Sequence, residues 1–280
     1  MNNFLLDESV FENLGSLAKA DVMLTSPGGS YEVETFNDVL YLTLQPGKSN
    51  NTKFDEEASL NNKDKNLLLS LISVIKEPAQ WDWSAISKYF RMEKVKRWCK
   101  NNGLPAVDYD IRRIAIRLDV FCLKTATLYL AYRLWQVIKN EDIDGINKYS
   151  AILFDHPALD KSRPWYEKRK RMFYIQSNVE HRKYHATCLF QPILNNQLKN
   201  LDLKISIEGY SLYLEAESIF DLCFFHLANM IAKGEKEGKN IKECKGCGDL
   251  YTGHGNSQFC KYCNRKTVWS RENPRPKNKC

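Results

Sequence analysis

No stretch of the 280-residue chain reaches the roughly 18 consecutive apolar residues that a membrane-spanning helix needs, so no membrane partner is expected. Residues 1–6 lack the basic flank and apolar run of a secretory signal, which points to a cytoplasmic protein. There is no internal repeat and no glycine-rich loop of the kind that cradles phosphates. A catalytic constellation is also missing. The five histidines (His156, His181, His185, His226 and His254) do not pair with Asp or Glu at metal-ligand spacing. His185 and Cys188 lie in a stretch expected to be a strand, where residues three apart face opposite sides, against a Cys–His pair. An enzyme is therefore a minor expectation, requiring an unrecognised site in the main part of the chain.

What is present is a globular composition. Hydrophobic residues make up 43% and aromatics 12%, enough for a packed core rather than a disordered chain. The length suits one large or two ordinary domains. Of nine cysteines, Cys99, Cys122, Cys188 and Cys223 are scattered through apolar-periodic stretches and Cys280 ends the sequence. That distribution reads as a reduced, intracellular protein with one metal site. Charge is unevenly spread: residues 1–60 hold ten acids against three bases, whereas residues 241–280 hold nine bases against three acids. Such asymmetry fits a polyanionic partner.

Along the chain, residues 1–20 show helical spacing of apolar side chains, 31–36 and 39–44 alternate as strands, and 46–51 read as a loop. From residue 65 helices dominate. Leu67, Leu68, Leu71, Ile72 and Ile75 make one apolar stripe, and Asp82 is placed to cap a second helix ending at Gly103. A long third helix is expected over 109–139, its Trp and aromatic stripe serving as core. Strands are expected over 183–190 and, as a hairpin, over 203–214. An apolar helix over 219–232 leads through a charged hinge at 234–239 to the C-terminal segment. The fold class is thus α+β. A mostly helical main domain (61–233) with a few short strands or hairpins follows an acidic section (1–60) and precedes a zinc finger (241–280).

Two features carry the functional expectation. Between residues 161 and 185, Lys168, Arg169, Lys170 and Arg171 stand among Trp165, Tyr166, Phe173, Tyr174 and Tyr184. Cations neutralise phosphates and aromatic faces stack on bases, so this stretch is a candidate nucleic-acid contact. A solvated helix with anchoring aromatics is the alternative. The second feature is Cys244-x-x-Cys247, a twelve-residue spacer, and Cys260-x-x-Cys263. Four thiolates at this spacing close around one tetrahedral zinc ion, leaving no open position for water, so the ion is structural. His254 falls in a Gly-His-Gly turn within the spacer and is expected as a turn residue. Tyr251 and Phe259 are placed to cover the metal. Cys263 opens a short helix that Pro274 terminates. The order of knuckle, hairpin and helix is that of a treble-clef finger. On and beyond that helix lie Arg265, Lys266, Arg271, Arg275, Lys277 and Lys279, the expected contacts to nucleic acid.

The run Cys260-Lys261-Tyr262-Cys263-Asn264-Arg265-Lys266 resembles the CGNR zinc-finger family of bacterial proteins, though no glycine precedes Asn264. Residues 94–105, with Trp98 and Gly103-Leu104-Pro105, and the helices that follow look like that family's helical N-terminal region, often called ABATE. The resemblance implies a DNA-binding transcription regulator whose larger domain senses a small-molecule or protein effector, with DNA favoured over RNA. A homodimer is left open. The rival expectation is a protein–protein adaptor in which the finger is only a staple.

Overall fold

The computed structural model describes residues 29–45, 64–106, 114–157, 159, 161–162, 164–175, 178–206, 211–216, 218–233, 239–246, 250–254, 257–259 and 263. The helical start expected over 1–20, the loop at 46–51 and all of the 234–239 hinge but Lys239, which opens a strand, lie outside them. Ser30–Phe36 (β1) and Val39–Gln45 (β2) pair antiparallel with Phe36 opposite Val39. The two residues between them, Asn37 (φ 47°) and Asp38 (φ 60°), take the left-handed conformations of a type I′ loop. Asn and Asp tolerate that region better than other non-glycine residues, so this turn sets the register.

Next come Asp64–Ile72 (α1), a 3-10 helix over Trp83–Tyr89 and Met92–Asn102 (α2). Asp82 is the expected cap, its Oδ1 accepting from Ser84 N at 2.9 Å. It caps the 3-10 helix, which stops at extended Phe90 before α2 begins. The single second helix expected here is therefore two. Gly103 (φ 82°) ends α2, donating its N–H to Cys99 O.

The helix expected over 109–139 starts later. Ala115–Arg117 (β3) pairs antiparallel with β2, Ile116 opposite Leu42, and the helix proper is Leu118–Lys139 (α3). Pairing to a strand some seventy residues earlier overrides the local helical pattern. Every residue from Thr125 to Tyr132 is buried, so α3 is enclosed on all sides. Around it pack α1, the 3-10 helix, β2, Ile143–Phe154 (α4), Val179–Gln197 (α6) and Ile219–Lys233 (α7). Pro164–Ile175 (α5) lies against α6. Leu201–Ser206 (β4) and Ser211–Ala216 (β5) form the expected hairpin leading into α7. The strand expected over 183–190 is instead part of α6. Ala186, Leu189, Ile193 and Leu194 are buried on it, at helical spacing. The mixture of helices, a three-stranded sheet and separate hairpins is an α+β fold. Among the described residues no helix is long and apolar enough to cross a membrane.

Phe121 shows how α3 holds the layers together. Fully buried, it meets Phe90 edge-on at 6.1 Å and Phe220 of α7 at 5.9 Å. The Gly103-Leu104-Pro105 stretch is fixed at the same end, with Ile219 N donating to Pro105 O at 2.9 Å. Burial pushes the Cys99 and Cys122 thiols up to about 12, so both are inert core residues. Phe121→Ala, by leaving a cavity that α3 cannot collapse, lowers unfolding stability by about 3–5 kcal/mol in a urea titration.

His156 is a polar group in this core. It is 3% exposed, its Nε2 is 2.7 Å from Thr127 Oγ1, and Trp83 packs edge-on at 4.6 Å. Burial lowers its pKa to about 4, against about 6.5 in the unfolded chain. The unfolded state then binds the extra proton first as pH falls, so this group's contribution is complete above about pH 6.5 and is lost toward pH 4. Stability measured across that window falls less steeply for His156→Gln than for the parent; an equal slope removes His156 as the cause.

Candidate metal centre and basic surface

Lys239–Glu243 (β6) and Leu250–His254 (β7) pair antiparallel, Glu243 opposite Leu250. The first Cys pair thus falls, in sequence, between the two paired strands. The expected order is changed accordingly: strands flank the knuckle, and His254 belongs to β7, opposite Lys239, rather than to a turn. Cys244 is buried at the end of β6. Lys245 N donates to Gln258 O at 3.0 Å, tying the loop to the residues just before the second pair. Tyr251 OH donates to Ser257 O at 2.8 Å from the other side.

Gly246 records how closely the second pair returns. A Cβ built there would lie 3.0 Å from Cys263 Sγ, 3.2 Å from Cys263 Cβ and 3.5 Å from the Phe259 ring. A side chain at 246 would displace the thiol, so glycine permits the approach. The backbone at Cys263 is helical. The Cys263 thiol and the Phe259 ring therefore sit against Gly246. Cys247 and Cys260 lie outside the described residues, as do Arg265, Lys266, Arg271, Arg275, Lys277 and Lys279. Among the described residues, which include only Cys244 and Cys263 of the four, no group of three or more His, Cys, Asp or Glu is placed to hold a metal ion. The hairpin is not isolated from the main domain, since β7 lies against α1.

The basic stretch forms α5 and the start of α6. Tyr166 and Phe173 are the buried face of α5, with Tyr166 OH donating to Phe154 O at 2.8 Å. Lys168, Arg171, Met172 and Ile175 fall at i, i+3, i+4 and i+7 and all are exposed. The other two candidates have internal work. Lys170 Nζ is 3.7 Å from Asp155 Oδ1 and lies over the Tyr166 ring. Arg169 Nη1 donates to Cys188 O at 2.7 Å. The cause of that bond is Pro192, inside α6. In an α-helix the carbonyl of residue 188 accepts from the N–H of residue 192, and proline has none. The Arg169 guanidinium supplies the missing donor from the neighbouring helix.

A third cluster surrounds Glu77. Its Oε1 accepts from Tyr149 OH at 2.7 Å and Lys148 Nζ at 2.5 Å, and its Oε2 from Tyr129 OH at 2.5 Å. Arg133 stands 3.4 Å from Oε2 and donates Nε to Tyr149 OH. Burial alone would raise the carboxyl pKa. The bonds from Lys148, Tyr129 and Tyr149 and the charge of Arg133 outweigh it and hold Glu77 below its ordinary value. With every oxygen engaged, the cluster fastens the segment after α1 to α3 and α4. Its members lie 52 to 72 residues from Glu77, and no local pattern signals such contacts.

Arg169→Ala leaves a part-buried carbonyl without a donor and costs about 1 kcal/mol of stability. Pro192→Ala restores the backbone donor, so the same arginine deletion in that background costs markedly less. A double-mutant cycle by urea unfolding measures the coupling, and simple additivity refutes it.

Comparison with known protein families, with curated proteins and with solved structures finds no significant match.

Proposed function

We propose that this is a zinc-binding, nucleic-acid-binding protein, a bacterial DNA-binding transcription regulator of the kind the CGNR resemblance suggests. Cys244, Cys247, Cys260 and Cys263 hold one structural zinc ion in a treble-clef-like finger. The observation that carries the reading is the Cys263 thiol packed over Gly246, between the two cysteines of the first pair. Four thiolates give the ion a closed shell, so its contribution is to fix a short segment that has little core of its own. Arg265 and Lys266 follow Cys263 within three residues, and a fixed Cys263 therefore fixes where these cations start. Arg271, Arg275, Lys277 and Lys279 extend the charge, and exposed Lys168 and Arg171 add a second patch for phosphates. Arg169 and Lys170 are left out because Arg169 donates to Cys188 O and Lys170 is paired with Asp155.

A second reading has its own support. Ile175 is 57% exposed and shares the outward row of α5 with Met172, Lys168 and Arg171, so this face also fits a protein partner.

Duplex DNA and single-stranded RNA are titrated with zinc-loaded protein across a salt series. Affinity for DNA falls steeply with salt, and Arg265→Ala, Lys266→Ala and Arg171→Ala each reduce the slope by about one. Chelation or Cys263→Ser removes the zinc and the tight binding together. Absence of binding at low salt sinks the nucleic-acid reading; chelation that changes only the assembly state favours the adaptor.

A further inference from the structure

The two histidines at the start of α6 face one another. His181 Nε2 and His185 Nε2 are 3.0 Å apart, with ring centroids at 4.3 Å. They are four residues apart on one helix, so a single turn presents both rings on the same side. The turn is held from outside. Asn178 Oδ1 caps α6 through Glu180 N at 2.9 Å, and Arg182 Nη1 donates to Asn147 Oδ1 at 2.6 Å. Lys183 is paired with Glu141 and Glu180, each at 3.0 Å.

We propose that His181 and His185 are a second metal site, separate from the finger, for a borderline transition cation such as Zn2+, Ni2+ or Cu2+. Two ring nitrogens 3.0 Å apart, each about 2.0–2.1 Å from an ion, subtend an angle of roughly 91–97°. That angle suits adjacent positions of a square or octahedral shell, the preference of Ni2+ and Cu2+. Among the described residues no third Cys, His, Asp or Glu completes a cluster, so solvent supplies the remaining ligands. The same lack of carboxylates gives hard cations such as Mg2+ and Ca2+ nothing to bind. Both rings are half-buried, which leaves the ion a way in. Burial, together with His181 and the nearby Arg169, lowers the His185 pKa. Without an ion the two rings share one hydrogen bond.

Ni2+ is titrated by calorimetry into the full, zinc-loaded chain. One Ni2+ per chain is taken up, and His181→Ala and His185→Ala each abolish the uptake. His185→Asn, which can still hydrogen-bond to His181, abolishes it too while leaving the far-UV circular dichroism and zinc content unchanged. Cys263→Ser, which empties the finger, leaves nickel uptake intact, so loss of one site is separable from loss of the other. No uptake by the parent, or uptake that persists in all three histidine variants, overturns the proposal.

Discussion

A helix buried on every side through its middle turns, Thr125 to Tyr132, has to be enclosed there, and much of the main domain is the enclosure of α3. A surface helix needs one apolar stripe; eight consecutive buried residues need partners on every side. That requirement explains why α1, α4, α6 and α7, remote from one another in sequence, converge on one axis. Side chains in such a core are held by contacts rather than by charge, and each fully buried aromatic contributes about 1.5–3 kcal/mol. Some of the polar groups that do enter are matched, as Thr127 is to His156, whereas Thr125 Oγ1 and Ser150 Oγ are buried with no hydrogen-bond partner among the described residues. At the edge of the enclosure the Glu77 carboxylate gathers donors from α3 and α4, adding direction to packing that is otherwise non-directional.

The basic helix pair shows how structural demands select among candidate ligands. Four consecutive cations occupy positions 168–171, and a helix sends them in different directions. Lys168 and Arg171 reach solvent. Arg169 is directed onto α6 by the carbonyl that Pro192 leaves without a donor, and Lys170 is paired at the surface with Asp155 over the Tyr166 ring. Composition alone gives all four equal weight. The aromatic residues divide similarly: Tyr166 and Phe173 are core, while Tyr174 and Tyr184 are exposed.

Much of the fold was legible because its signals are local. The 31–36 and 39–44 strands, the apolar stripe from Leu67, the 203–214 hairpin and the helix after residue 219 were all readable from period and turn residues. Errors arose where a distant partner or a short window decided. β3 exists because Ile116 pairs with Leu42. The 183–190 stretch alternates over eight residues, but Ala186, Leu189 and Ile193 form a helical stripe when the window is widened. That misreading also hid His181 and His185, whose spacing of four becomes informative only on a helix. In the C-terminal segment the cysteine spacing was plain, whereas the placing of the knuckle between paired strands was not, because Glu243 and Leu250 carry no turn signature.

The position of β7 against α1 has a thermodynamic consequence. The C-terminal hairpin and the main domain share a boundary, so they cannot be independent in free energy. Any ion that binds the folded hairpin in preference to the unfolded one also favours the docked state of α1. The relation is reciprocal: an effector that tightens the packing around α1 raises the ion affinity by the same factor. Linked equilibria of this sort require no moving arm, only a common surface.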